Sequence, residues 1–272
     1  MTDVYTHTAS AMSTVVTMQV VGFGADGRQQ TERAACVARA MEWFTRIETC
    51  CTRFDARSEL RRLSEHPGVA APASAILFEV VRFALALAEE TEGAFDPTVG
   101  AASFRDVHVD SDERTIMLLR PVTLDLGAVA KGFAVDMAAR ELAPLENFAI
   151  DAGGDLYLGG RNEHGEPWSV GIRHPRDEEQ LLDTLRVSNT AVCTSGDYER
   201  VTDAGHHIID PRAGVSPTAV ASVTVVAPVA MVADGLATAA FVLGPTRGIE
   251  LLERHGVQGL IVTPALERFA TS

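Results

Sequence analysis

The sequence predicts an α+β fold. Two long amphipathic helices come early, and short β-branched runs broken by Gly, Pro and Asp fill the middle. No repeat or low-complexity linker divides the chain, and no break in composition fixes a domain boundary. Met12–Val21 is dominated by Thr and Val and reads as a strand. Thr31–Thr52 reads as a helix, with Val37, Met41, Phe44, Ile47 and Cys51 on one apolar stripe. Ser74–Glu92 is a second helix; Ile76, Leu77, Val80, Ala84 and Leu87 face inward, and Gly93 stops it. Short strands follow near Thr115–Leu119, Phe148–Ile150, Leu156–Leu158, Trp168–Ile172 and Thr184–Val187, interrupted by a helix over about Val129–Leu142. A helix near Thr246–His255 and a strand at Gly259–Val262 close the chain.

Ala219–Gly244 carries a single charge, Asp234, and has the apolar length of a membrane span. Pro228 divides it into two chemistries. Ser222–Val226 is β-branched and reads as a buried strand; Ala230–Leu243 is alanine-rich and reads as a buried helix. The expectation is no membrane span.

With 46% hydrophobic and 22% charged residues over 272 positions, the chain has the composition of a globular protein able to bury a large core. Its net charge of -14, from 37 acidic and 23 basic residues, repels phosphate backbones and anionic lipid. Nucleic-acid and membrane-surface partners are therefore not expected, and a small anionic ligand needs a local cation. Cys36, Cys50, Cys51 and Cys193 form no CxxC pair and lack zinc-spaced histidines, so nothing points to an oxidising compartment. The N-terminal residues carry an early acid and no apolar run, so the expected location is the cytoplasm.

Asp234 and Thr238 lie four apart on the apolar helix, which puts a carboxylate and a hydroxyl on one face. Both are hard oxygen donors of the kind magnesium prefers. The same spacing also suits an aspartate paired with a distant arginine and a threonine bonded to its own helix. Leu124–Gly132 reads as a tight turn opening a helix, where free backbone N–H groups and Lys131 would suit a diphosphate. A plain strand-to-helix turn with a solvated lysine fits as well. His206–Gly214 reads as a short strand ending in an Asp-Pro-x-x-Gly turn. Only one of the adjacent His206 and His207 can face a site from such a strand. Asp151–Asp155 and Thr194–Tyr198 read as polar, glycine-bearing loops between strands. Gly22–Gly27 matches GxGxxG, but an amphipathic helix occupies the interval where a dinucleotide fold needs its second strand. A loop is the better reading.

Taken in order, these segments resemble the ApbE-type FAD:protein FMN transferase family. Thr91–Gly100 is similar to T-x-G-x-F-D-P-T-V-G, and Asp125–Asp136 to D-L-x-x-x-A-K-G-x-x-x-D. Asp151–Asp155, Trp168–Pro175, Thr194–Tyr198, His207–Gly214 and Ser222–Thr238 resemble the family's five later motifs, in family order. The resemblance implies a single domain over residues 1–272, with a core of about 12–263. It implies mostly antiparallel sheets with packed helices, in two intimately associated subdomains. It also implies that Asp234 and Thr238 are side-chain magnesium ligands, joined by a backbone oxygen near Ala128. Met12, Phe54, Ala94, Phe95, Asp96, Asp125, Lys131, Ile209 and Ala237 would line the FAD site.

The implied reaction moves FMN from FAD to a Ser or Thr hydroxyl in a short motif of an acceptor flavoprotein, releasing AMP. Lys131 would add positive potential at the diphosphate, and His207 or Asp96 would take the hydroxyl proton. Water in place of the protein hydroxyl would make the chain an FAD pyrophosphatase. A non-catalytic FAD-binding protein is the other alternative. The sequence departs from the family pattern at three places. Ala101–Asp110 is short, Phe54 stands where a tyrosine is frequent, and Ser64 where an asparagine is frequent.

Overall fold

A computed structural model describes residues 3–22, 24, 26–198 and 208–272. The chain begins with a hairpin of β1 (Val4–Ala11) and β2 (Thr14–Val21), turned by Met12 and Ser13 in the left-handed region. α1 (Gly27–Cys51), α2 (Glu59–Leu63), β3 (Ala71–Pro72) and α3 (Ala75–Glu90) follow. Next come the short strands β4 (Thr98–Val99), β5 (Val107–Asp110), β6 (Thr115–Leu118) and β7 (Thr123–Leu124). Beyond them lie α4 (Gly127–Leu142), β8 (Phe148–Ala152), β9 (Asp155–Gly159), β10 (Trp168–His174), β11 (Asp177–Val187) and β12 (Thr190–Gly196). The chain ends with β13 (Ser222–Ala227), α5 (Ala230–Leu243), α6 (Pro245–Arg254), β14 (Gln258–Val262) and β15 (Arg268–Ala270).

The main sheet has eight strands in the order β1-β2-β8-β9-β12-β13-β14-β15, every adjacent pair antiparallel. The α+β expectation is met. The dinucleotide-fold alternative fails here, because β2 is antiparallel to both of its neighbours. Alternation along the strands sends one set of side chains into the core (Val16, Met18, Val20, Ile150, Val223, Val225) and the other to the opposite face. The core face is covered by α1, α4 and α5. On the other face, Trp168 and Val170 of the β10–β11 ribbon pack with Val21, Leu158 and Val192.

Capping moves the helix boundaries relative to the periodicity. Asp26 accepts the Gln29 N–H at 2.9 Å, so α1 begins at Gly27 rather than Thr31. Ser74 caps α3 by accepting the Leu77 N–H. Of the stripe expected on α1, Val37, Phe44, Ile47 and Cys51 are buried, while Met41 is half-buried. Three readings need correction. β1 is a strand where none was expected, since its alternating, polar sequence has the weak signal of an edge. Thr194–Gly196 is the end of β12 rather than a loop, because Cys193, Thr194 and Ser195 pair with Val225, Thr224 and Val223. Ile208 and Ile209 are not strand, although the turn from Asp210 to Gly214 is present. His206 and His207 lie outside the described residues.

Among the described residues, no helix is long and apolar enough to cross a membrane. The Ala219–Gly244 stretch resolves into β13 and α5, as its two chemistries require.

Candidate active site

The second turn of α4 and the middle of α5 meet beneath β9 and β12, where Asp155 and Asp234 are buried. Lys131 Nζ lies 2.5 Å from Asp155 Oδ2, with the two side chains 17% and 2% exposed. Asp234 is buried on α5, and its Oδ2 accepts the Gly132 N–H at 3.2 Å. One turn later, Thr238 Oγ1 is 3.3 Å from Ser195 Oγ at the end of β12. Cys193 Sγ, fully buried on the same strand, sits opposite Asp155 in the β9–β12 register.

Two carboxylates and one ammonium in a nearly dry site leave an excess negative charge. Burial pushes the Asp234 carboxyl well above its ordinary value, Asp155 pushes it further, and Lys131 opposes both. Burial alone would lower Lys131, but Asp155 and Asp234 together raise it, so it stays an ammonium. Burial, with Asp155 and Asp234 beside it, raises the Cys193 thiol, which is therefore not a thiolate nucleophile.

These donors fit a hard divalent cation. Such an ion would neutralise the excess charge that disfavours ionised Asp234 and would take oxygens from Asp234 and Thr238. Among the described residues, no group of three or more His, Cys, Asp and Glu side chains is placed to hold a metal. An ion here would therefore complete its shell with neutral oxygens and ligand phosphates, as magnesium commonly does.

The remaining described residues expected at the site fall into four sets. Phe54, Asp125 and the start of α4 come together. Arg53 Nε forms an ion pair with Asp125 Oδ2 at 3.0 Å while its guanidinium lies 4.5 Å from the centre of the Phe54 ring, and Phe54 is 84% exposed. Asp125 Oδ1 accepts the Gly127 N–H, shaping the turn that positions Ala128 and Lys131. Asp96 organises the neighbouring segment. Its Oδ1 accepts from Thr98 N and Oγ1, and its Oδ2 from Phe104 N. Pairing of β4 with β7 and an Asp125 N–H bond to Pro97 O tie that segment to the turn. Ala94, Phe95 and Ala237 are buried in the core. Met12 anchors its N–H on Glu48, and Ile209 is 53% exposed.

Asp155, Ser195 and Asp136 stand in the sequence only as members of polar or motif segments, and nothing local in it places them in this cluster. Asp136, buried on α4, accepts from Ala230 N at 2.7 Å and Met231 N at 2.9 Å. Burial raises its carboxyl to about 6, against the lowering effect of those two N–H bonds. A raised folded value means that Asp136 contributes its stability fully below about pH 4, and that this is lost as pH rises through about 6. The urea midpoint of the wild type, relative to Asp136→Asn, should accordingly fall between pH 4 and 7. A constant difference would refute the assignment. A cleft of about 600 Å3 also touches Asp136, but it opens among Arg140, Tyr157 and Arg161, at the opposite end of α4 from Lys131.

The fold and this cluster define an α+β protein with a polar, cation-suited site buried between two helices and an antiparallel sheet. The chain belongs to the ApbE family, whose family model matches residues 12–104 and 101–261. Its relatives include the FAD:protein FMN transferase of Haemophilus influenzae, 30% identical over 256 residues, covering 79% of this chain and 74% of that one. The FAD:protein FMN transferase of Vibrio cholerae is 32% identical over 248 residues, covering 78% and 74%. The crystal structure of the ApbE protein from Thermotoga maritima superposes with a TM-score of 0.88 at 29% identity, covering 99% of this chain and 97% of that one. A flavin transferase ApbE from Vibrio cholerae shares the fold, with a TM-score of 0.87 at 24% identity over 100% and 98% of the two chains.

Proposed function

We propose that this chain is an FAD:protein FMN transferase, moving FMN from FAD to a Ser or Thr hydroxyl of an acceptor flavoprotein. The observation that carries the reading is the buried Asp234 carboxylate, one turn from the Thr238 hydroxyl and beside the Lys131–Asp155 pair. The relatives named above supply the reaction class. Asp234 and Thr238, with the backbone oxygen of Ala128, would hold magnesium. When bound, the ion supplies Lewis-acid polarisation of the diphosphate and neutralises charge on the departing AMP.

The other steps belong to the chain's own side chains. Lys131, kept charged by its acidic neighbours, provides fixed positive potential for the phosphates in a protein of net charge -14. Phe54, Asp125 and the Ala94–Asp96 segment, with Met12, Ile209 and Ala237, shape the FAD site. The acceptor hydroxyl oxygen bonds to the FMN phosphorus. The bond from that phosphorus to the bridging oxygen breaks, and AMP leaves carrying the bridge. The hydroxyl proton passes to a polar side chain, His207 or Asp96. Both Asp96 oxygens already accept hydrogen bonds, which favours His207 as the base and Asp96 as the brace of its loop. The base assignment predicts that His207→Ala slows transfer by about a hundredfold or more at saturating FAD. Full transfer rates in both His207→Ala and Asp96→Ala would end that idea.

Four free, buried cysteines suit a reducing compartment, and we place the protein in the cytoplasm. The reading is tested by AMP release with and without an acceptor peptide. The transferase releases AMP only when the peptide is present, in equal amount to bound FMN. Equal AMP release without peptide would make the chain a pyrophosphatase, and intact FAD throughout would make it a binding protein.

A further inference from the structure

Asp136 and Gly132 lie one turn apart on α4, and both grip the start of α5. The Asp136 side chain is nine-tenths buried, and its two oxygens divide between the Ala230 and Met231 N–H groups. Those amides belong to the first turn of a helix, where backbone donors have no intrahelical partner. α5 has no cap of its own, because its N-cap residue is Val229, which offers no side-chain acceptor. Its cap is supplied across the helix interface, by a residue 94 positions earlier in the chain.

Gly132 completes the grip. A Cβ there would stand 2.6 Å from the Ala230 carbonyl oxygen and 2.8 Å from Met231 Cα. Only glycine lets the two backbones approach this closely. The Gly132 N–H then reaches one turn along α5 to Asp234 Oδ2. One turn of α4 therefore holds the first turn of α5 and the acidic residue that follows it.

We propose that Asp136 is a positioning residue that clamps α5 against α4 and sets the register in which Asp234 and Thr238 present their oxygens to a divalent cation. The cation's role in transfer rests on the function proposed above; the clamp itself does not. A cap that only stabilised α5 would affect folding without touching the affinity of the site. A positioning clamp affects that affinity in the folded protein, as groups that hydrogen-bond and orient metal ligands do.

The test uses Asp136→Asn, which replaces one acceptor with a donor facing an N–H group, and Asp136→Ser, whose hydroxyl cannot span both amides. Amide hydrogen exchange over Ala230–Asp234 and calorimetric titration of the FAD-loaded protein with magnesium are the two readouts. In the folded variants, Ala230 and Met231 should lose protection and magnesium affinity should fall about tenfold or more. Transfer should recover toward the wild-type rate as magnesium is raised. Wild-type magnesium affinity in a folded variant that has lost the amide protection would overturn the proposal. So would a wild-type protein that binds no magnesium, or failure of both variants to fold, since Asp136 would then support the whole chain. A wild type that binds magnesium but transfers no FMN would refute the transferase reading and leave the clamp standing on its two readouts.

Discussion

Asp234→Asn should fold as well as the wild type and transfer FMN about a thousandfold more slowly, the scale of losing several kcal/mol of charge stabilisation in the transition state. The substitution keeps the side chain's volume and an oxygen for the Gly132 N–H, but removes a buried charge that Asp155 opposes. Its effect on the apo protein is therefore neutral or stabilising, even though the residue is buried. The informative comparison is thermal unfolding with and without magnesium. The wild type should gain stability with the ion, because ligands that bind only the native state stabilise it, and the variant should not. A variant that kept both its magnesium-dependent shift and its rate would remove Asp234 from the site.

Lys131→Met produces the opposite pattern in stability. It leaves Asp155 and Asp234 together in a nearly dry site with no ammonium between them. Removing one partner of a buried ionic group costs about 3–5 kcal/mol, since the charge left behind is uncompensated. In a chain of this length that amounts to a fall in melting temperature on the order of 10 °C. Combining Lys131→Met with Asp234→Asn should recover much of the lost stability, because the excess negative charge goes as well. Transfer stays low in the double variant. Additive stability losses in that cycle would show that Lys131 and Asp234 are not coupled, contrary to the cluster described above.

What the sequence revealed about this site follows from how local each signal is. The bounds of α5, and the shared face of Asp234 and Thr238, were readable because both depend on a four-residue spacing within one helix. Lys131 was readable as part of a helix start. Its partner was not. Asp155 opens a strand, and what buries it is the pairing of β9 with β12, joining positions far apart in the chain. The Asp136 cap on α5 escaped for the same reason, since residues Asp136 and Ala230 become neighbours only when α4 packs on α5. β1 escaped on different grounds. As an edge strand with Tyr5, His7 and Ala9 alternating against Thr6, Thr8 and Ser10, it lacks a continuous apolar face. β12 was misread at its end because Ser195, Gly196 and Asp197 have turn-like composition, whereas the register with β13 holds the first two in the sheet.

FMN transfer is read directly by mass spectrometry of an acceptor peptide, carrying a Ser or Thr flavinylation motif, after incubation with the protein, FAD and magnesium. The expected product is a peptide heavier by one FMN, with the modification absent when magnesium is chelated or Asp234 is replaced by Asn. An unmodified peptide alongside intact FAD, or alongside free FMN and AMP, would contradict the transferase reading.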